Sequence, residues 1–337
     1  MQLAEIWPAL APAFVIAFGC GLAGAAAMAR LRLLVDKPNA RSSHSLPTPR
    51  GGGIGLVVGA LAGCLWLGAA DAWAGFAAGA LVAGVAGLAD DARAQGAYVK
   101  FGAQFLAAGL AMAGGAVFGT VHVPGIGPVE LGVFAGPVTF LWFVGLTNAY
   151  NFMDGLDALA ASTGAVAALF AGLVLAVGGH HALAGLAFVL AAACLGFLPL
   201  NWPRARVFMG DVGSQFLGFS FAGLGVLAAD ADASGQLFWL IPLLLMHFLF
   251  DTMLTAARRV AAGENVLAAH RGHLYQLLNQ SGVSHGRVSA LLACFAGLQG
   301  LAALTLSSSV AVALLAAFAL QLAYARFVFS RAKVRTP

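Results

Sequence analysis

The chain has 337 residues, of which 61% are hydrophobic and only 9% charged, with a mean hydropathy of +0.90. A soluble domain carries about 25% charged residues, so a soluble enzyme is excluded, and so is disorder, which needs low hydrophobicity and high charge. What remains is an all-α polytopic integral membrane protein. At about 20 apolar residues per span plus a short connection, the length allows about 11 transmembrane helices. No room is left for a separate soluble domain, so residues 1–337 are expected to form a single membrane-embedded unit.

Apolar runs between short polar breaks predict spans at 9–29, 51–70, 72–89, 101–121, 133–147, 158–178, 182–200, 212–229, 236–255, 288–307 and 309–326. No Lys or Arg precedes Arg30, so the first run lacks a signal peptide's basic region and reads as an uncleaved helix. Placing the N-terminus outside puts Arg30, Arg32, Lys37, Arg41 and Arg50 in the first inner loop, then Arg93 and Lys100, then Arg204 and Arg206. Arg258, Arg259, Arg271 and Arg287 fill the last inner loop, and Arg326, Arg331, Lys333 and Arg335 the C-terminal tail. That is all 17 basic residues on one side, the positive-inside pattern, and it predicts a cytoplasmic C-terminus. The net charge of +4 thus marks a cytoplasmic face suited to anionic headgroups or substrates, and no nucleic acid is expected. The outer connections, 122–132 among them, read as simple turns. Function is expected on the inner side, where 30–50 and 256–287 are long and polar. The four cysteines lie in apolar runs without C-x-x-C spacing and read as packing residues.

Glu5, Asp71, Glu130, Asp230 and Asp232 fall in outer segments, where solvated loop charge explains them. The other acids gather at inner helix ends. Asp90 and Asp91 close the third span, where the helix dipole disfavours anions, so a cationic group should face them. Asn148, Asn151, Asp154 and Asp157 step by three, which drifts about 60° per step and cannot line one face of a straight helix. Asp211 precedes V-G-S, where a helix N-cap is the plain alternative to a metal ligand. Carboxylates and amides from separate segments at one membrane level suit a hard cation, Mg²⁺ or Mn²⁺, and magnesium suggests phosphate. Arg41, Arg50, Lys100, Arg204, Arg206, Arg258, Arg259 and Arg271 are candidate holders of anionic groups. The run Pro49-Arg50-Gly51-Gly52-Gly53 opens a helix, as an anion site or as a place of close packing. His270 and His273 flank Arg271, and hydrogen-bond donation to a diphosphate is favoured over a zinc pair. His44, His122, His180, His181, His247 and His285 read as structural.

Taken together, these motifs resemble the polyprenyl-phosphate N-acetylhexosamine-1-phosphate transferase superfamily. The likeness rests on D-K-P-N-A-R-S-S-H-S-L-P-T-P-R-G-G-G in the first inner loop, D-D at 90–91 and K-F-G-A-Q at 100–104. It continues through N-x-x-N-x-x-D-G-x-D at 148–157, M-G-D-x-G-S at 209–214 and H-x-x-H at 270–273. Two departures stand out. A run of adjacent histidines in the pentapeptide translocase is here His270-Arg271-Gly272-His273, which disfavours that large substrate. The usual D-G-L-D-G-L-A reads D-G-L-D-A-L-A, with Ala158 for Gly, expected to change little.

The resemblance implies transfer of a sugar 1-phosphate from a UDP-N-acetyl sugar to undecaprenyl phosphate in the bacterial inner membrane, releasing UMP, as the first membrane step of O-antigen or other surface polysaccharide synthesis. It implies Asp90, Asp91, Asp154 and Asp157 as catalytic carboxylates, with an Asp of the D-D pair as the base. Asp211 and Asp154 are the expected ligands of Mg²⁺ (or Mn²⁺). Arg50, Lys100, Asn148, Asn151, His270, Arg271 and His273 are expected to bind substrate, from loops 30–50, 90–100, 148–157, 201–211 and 256–287. A homodimer is compatible with it. Two rivals are a CDP-alcohol phosphotransferase, of whose motif only D-G-L-D is shared, and a secondary transporter, whose ionisable groups would lie at the bilayer midplane. Only Asp251 approaches that depth.

Overall fold

The computed structural model describes residues 3–38, 46–68, 73–266, 268 and 270–333. Helix α1 (Leu3–Leu31) is followed by a two-residue pair of strands, β1 (Val35–Asp36) and β2 (Thr48–Pro49). Then come α2 (Gly53–Trp66), α3 (Ala74–Ala92) and α4 (Ala97–Ala113), a hairpin of β3 (Thr120–Val123) and β4 (Gly127–Glu130), and α5 (Ala135–Phe152). Next are α6 (Leu159–Val177), α7 (His181–Asn201), α8 (Asp211–Ala231), α9 (Leu240–Leu244) and α10 (Met246–Ala261). A short α11 (Leu274–Gln280), α12 (His285–Ala303) and α13 (Leu306–Lys333) complete the chain.

Among the described residues, eight helices are long and apolar enough to cross a bilayer, and Gln236–Leu244 with Met246–Ala261 gives a ninth if that 70° bend is one broken span. The shorter apolar helices α2 and α4 stand where the sequence predicts spans at 51–70 and 101–121. Side chains such as Val15, Leu65, Leu81, Val85, Phe105, Leu141 and Leu315 are exposed on the outside of this bundle, the surface that hydrocarbon would cover. The protein is a multi-pass membrane protein.

Helix α8 is the axis of the bundle, enclosed continuously from Val212 to Val226. It packs on α3, α5 and α2, while α1 packs on α2 and α7, and α6 on α7 and α12. Small residues permit this. A Cβ on Gly53 would lie 2.5 Å from the Cα of Gly213, and one on Gly87 2.2 Å from the carbonyl oxygen of Asp211. Backbones therefore touch where α2 and α3 cross the head of α8.

The connection at 120–130 is a hairpin rather than the simple turn expected. Val121 faces Val129 across it, and Gly125 and Gly127 supply the positive φ of the reversal. Alternating Thr-Val-His-Val favours a strand over a turn here, and the Trp239 indole donates to the His122 carbonyl at 2.6 Å.

Candidate active site

The site assembles where α3, α5 and α10 end and where α2, α4, α6, α8 and α12 begin. Its floor is sewn by backbone bonds: Phe208 N donates to Pro49 O (2.8 Å), Gly52 N to Phe208 O (3.0 Å) and Gly53 N to Met209 O (2.9 Å). The N–H groups of Gly52 and Gly53 are thereby used, and Gly53 abuts Gly213. Close packing, not an anion cradle, explains the glycine run.

The D-D pair divides. Asp91 is buried, and its Oδ1 and Oδ2 accept the backbone N–H groups of Asp211 (3.0 Å) and Val212 (3.1 Å). It caps α8 from another helix. Asp90 instead accepts from Gln95 N (2.7 Å) and from Lys100 Nζ (2.7 Å), and the same ammonium lies 3.6 Å from Asp211 Oδ2. The Arg50 guanidinium donates to the carbonyls of Asp90 and Asp91 and sits 3.6 Å from the Asp91 carboxylate. Lys100 and Arg50 are thus the cations facing the D-D pair, and Arg50 spends most of its donors on the end of α3.

Two amides separate in the same way. Asn148 and the buried Gln104 exchange reciprocal bonds of 2.9 and 3.1 Å, tying α4 to α5. Asn151 reaches α8, donating to Asp211 Oδ1 (3.1 Å) and Ser214 Oγ (2.8 Å). Gln215 Nε2 approaches Asp211 Oδ2 at 3.4 Å. Asp211 is therefore fixed by amides and an ammonium, with its own N–H held by Asp91.

Asp154, in the loop between α5 and α6, has no hydrogen-bond or ion-pair partner for its carboxylate among the described residues. Withdrawal from bulk water, and then the neighbouring charges of Asp211, Asp91 and Asp157, hold its carboxyl well above the usual carboxylate range. Such a group gains from a cation. Among the described residues no three His, Cys, Asp or Glu side chains close into a metal cage. An all-oxygen pair at Asp154 and Asp211 instead suits an ion that takes its remaining ligands from phosphate and water, which is how Mg²⁺ is commonly held.

Asp157 turns away. Its Oδ1 lies 3.2 Å from His285 Nδ1, Oδ2 accepts from Ala205 N (3.1 Å), and its carbonyl accepts from Ser289 Oγ (2.6 Å). It borders a cavity of about 480 Å³ lined also by Thr48, Arg204, Phe208 and His285. The next residue, Ala158, sits at φ +64° with its N–H bonded to Asn201 Oδ1 (2.9 Å). The glycine at this place in the family motif matches a left-handed backbone, and the alanine carries a strain that the sequence alone hides.

The 270–275 segment reaches the same floor through Tyr275, whose hydroxyl donates to the Phe152 carbonyl at 2.9 Å. His273 is buried and stacks on His270, with ring centroids 4.9 Å apart. Burial, then His273 and Arg259, press the His270 imidazole below its ordinary value. Arg271 is half-buried beside them. Arg259 pairs with Glu264 (2.7 Å), and Arg258 lies over the Phe329 ring. Arg41 and His44 lie outside the described residues. Sequence reasoning missed Gln104, His285 and Asp251. For Asp251 the signal was there: an acid in an apolar helix.

The family model of glycosyl transferase family 4 matches residues 73–229, which hold Asp90 through Asp211. A Bacillus subtilis protein named "Probable undecaprenyl-phosphate N-acetylglucosaminyl 1-phosphate transferase" is 35% identical over 263 residues, 77% of this chain and 73% of that protein. The "Decaprenyl-phosphate N-acetylglucosaminephosphotransferase" of Mycobacterium leprae is 33% identical over 323 residues, 86% of this chain and 80% of its own. A "Phospho-N-acetylmuramoyl-pentapeptide-transferase" from a Synechococcus species is 48% identical over a shorter stretch of 108 residues, 32% of this chain and 31% of that protein. The chain belongs to glycosyl transferase family 4, within the polyprenyl-phosphate N-acetylhexosamine-1-phosphate transferases. It is a membrane phosphoglycosyltransferase, and both rival readings fall away.

Proposed function

We propose that this enzyme transfers N-acetylhexosamine 1-phosphate from a UDP-sugar to undecaprenyl phosphate, as the first membrane step of O-antigen or a related surface polysaccharide. The observation that carries this is the meeting of Asp154, Asp211, Asp90 and Lys100 at one end of the bundle, with the Asp154 carboxylate lacking a partner among the described residues. In the reaction an oxygen of the lipid phosphate attacks the sugar-bearing phosphorus, and the bond from that phosphorus to the bridging oxygen breaks. UMP departs with the bond's electrons. A phosphate monoester has a second pKa near 6, so the acceptor needs a base only in its monoanionic form, and Asp90 is the D-D carboxylate placed to serve it.

Asp211 and Asp154 would hold Mg²⁺ or Mn²⁺, whose charge, when bound, would offset that of the diphosphate and of the leaving group. Lys100 offsets charge between Asp90 and Asp211. The cavity beside Asp157, with the Phe208 ring and Arg204 in its wall, has the size and mixed lining of a nucleoside site. Arg271, His270 and His273 serve the donor's phosphates and sugar. The basic residues argue for eleven spans in the bacterial inner membrane, N-terminus outside and C-terminus inside, and a homodimer is compatible with this arrangement.

The test is an assay of the purified enzyme with undecaprenyl phosphate and a panel of UDP-N-acetyl sugars, reading UMP. Release that depends on both the lipid and one N-acetyl sugar supports the reading. Release without lipid, or none with any sugar, overturns it.

A further inference from the structure

Asp251 is a buried carboxylate near the site to which the reaction above gives no part. It stands on α10, a bilayer-facing helix, yet is 1% exposed, and an unpaired carboxylate in such a place is costly. Four donors surround it. Oδ1 takes His273 Nδ1 (3.1 Å), Leu274 N (2.9 Å) and Thr255 Oγ1 (3.1 Å), and Oδ2 takes Tyr275 N (3.2 Å). Two of these are the first backbone N–H groups of α11, so Asp251 fixes the start of that helix as well as the ring that precedes it.

We infer that Asp251 is a positioning residue for His273. A carboxylate can only accept, so the imidazole's Nδ1 must carry the proton at that contact, and Nε2 becomes the nitrogen available to the cleft. The ring's tilt is set too: it stacks between His270 at 4.9 Å and Tyr275 at 5.8 Å, with Phe152 at 6.1 Å. Thr255, one turn along α10, holds the carboxylate itself in place. The effect is that of an outer partner orienting a working histidine. An Nε2 tautomer or a rotated ring would present the wrong atom to the donor sugar-phosphate. This inference rests on the reading of His273 as a donor-binding residue, but the tautomer does not depend on it.

Two measurements separate the inference from that reading. The first uses the intact wild-type enzyme labelled with ¹⁵N-histidine: the His273 resonance should show a protonated Nδ1, and Asp251→Asn should remove that preference. A wild-type His273 found as the Nε2–H tautomer overturns the inference whatever the activity. The second is a double-mutant cycle on kcat/KM for the donor. Asp251→Asn should lower it about ten- to a hundredfold at unchanged lipid KM, and adding it to His273→Ala should cost no more than His273→Ala alone. Additive losses would mean that Asp251 acts on folding only and overturn the positioning role. If His273→Ala leaves donor use intact while the tautomer stands, the reading of His273 fails and the Asp251 contact survives.

Discussion

Asp91 holds Asp211 by the backbone: its Oδ1 accepts the Asp211 N–H at 3.0 Å across 120 positions of sequence. The acid pair of α3 is thus split between a carboxylate that builds the site and one, Asp90, that faces it. Asp91→Ala leaves the N–H groups of Asp211 and Val212 buried without an acceptor, at a cost of about 1–3 kcal/mol each. Thermal unfolding in detergent should show a clear loss of stability for Asp91→Ala and almost none for Asp90→Asn, whose damage should fall on turnover. Equal stability of the two variants would return Asp91 to the cleft.

Asp211→Asn should abolish turnover in a protein that still folds, because asparagine suits a first helical turn but is a poorer Mg²⁺ ligand than a carboxylate. Activity titrated against Mg²⁺ checks this. Near-normal turnover at limiting Mg²⁺ removes Asp211 from the metal site.

The crowding at Asp154 gives a pH signature in chelator-treated enzyme. Because its carboxyl is held above the usual range by burial and by Asp211, Asp91 and Asp157, the folded protein keeps that proton to higher pH than the unfolded chain does. Stability from this group is then fully present below about pH 3.9 and is lost as pH rises through the folded-state value. Asp154→Asn removes the loss. With EDTA present, the variant should unfold at a higher temperature than wild type above neutrality, with the gap closing towards acid. A gap that widens towards acid would contradict the assignment.

Ala158→Gly should stabilise the enzyme by about 1 kcal/mol. A left-handed backbone costs a non-glycine residue about 1–2 kcal/mol, part of which glycine returns through its greater freedom when unfolded. Denaturation of the purified variant reads this directly, and a destabilised Ala158→Gly would show that the methyl's packing outweighs the strain.

Cysteines introduced singly between residues 258 and 287 should react with an impermeant reagent only from the cytoplasmic side. Labelling from the outer side would invert the topology and, with it, the side on which the nucleotide sugar binds.

Much of this was legible because polar residues are scarce in an apolar chain, so Asp90, Asp154, Asp157 and Asp211 announce themselves and their motifs fix their order. Which way each one faces was not. Asp91 and Asn148 look like neighbours of the chemistry, yet one caps α8 and the other pairs with Gln104. Both partners are set by how helices cross, which periodicity does not encode. His285 lies 128 positions from Asp157, with nothing local to link them. The break at Leu245 was hidden as well, since α9 and α10 form one apolar run.

The backbone seam between Gly52, Gly53 and Phe208, Met209 also dictates an order of events during synthesis. The head of α2 enters the membrane early, but its hydrogen-bonding partners belong to the segment that introduces α8. Until the ribosome has delivered that segment, the first inner loop lacks its backbone partners at Phe208 and Met209, and Asp90 and Asp91 have no Asp211 to meet. A nascent chain halted before residue 206 would carry the first three inner segments without a working centre. The enzyme therefore stays silent until most of it has been inserted, and becomes competent in a late step rather than by degrees.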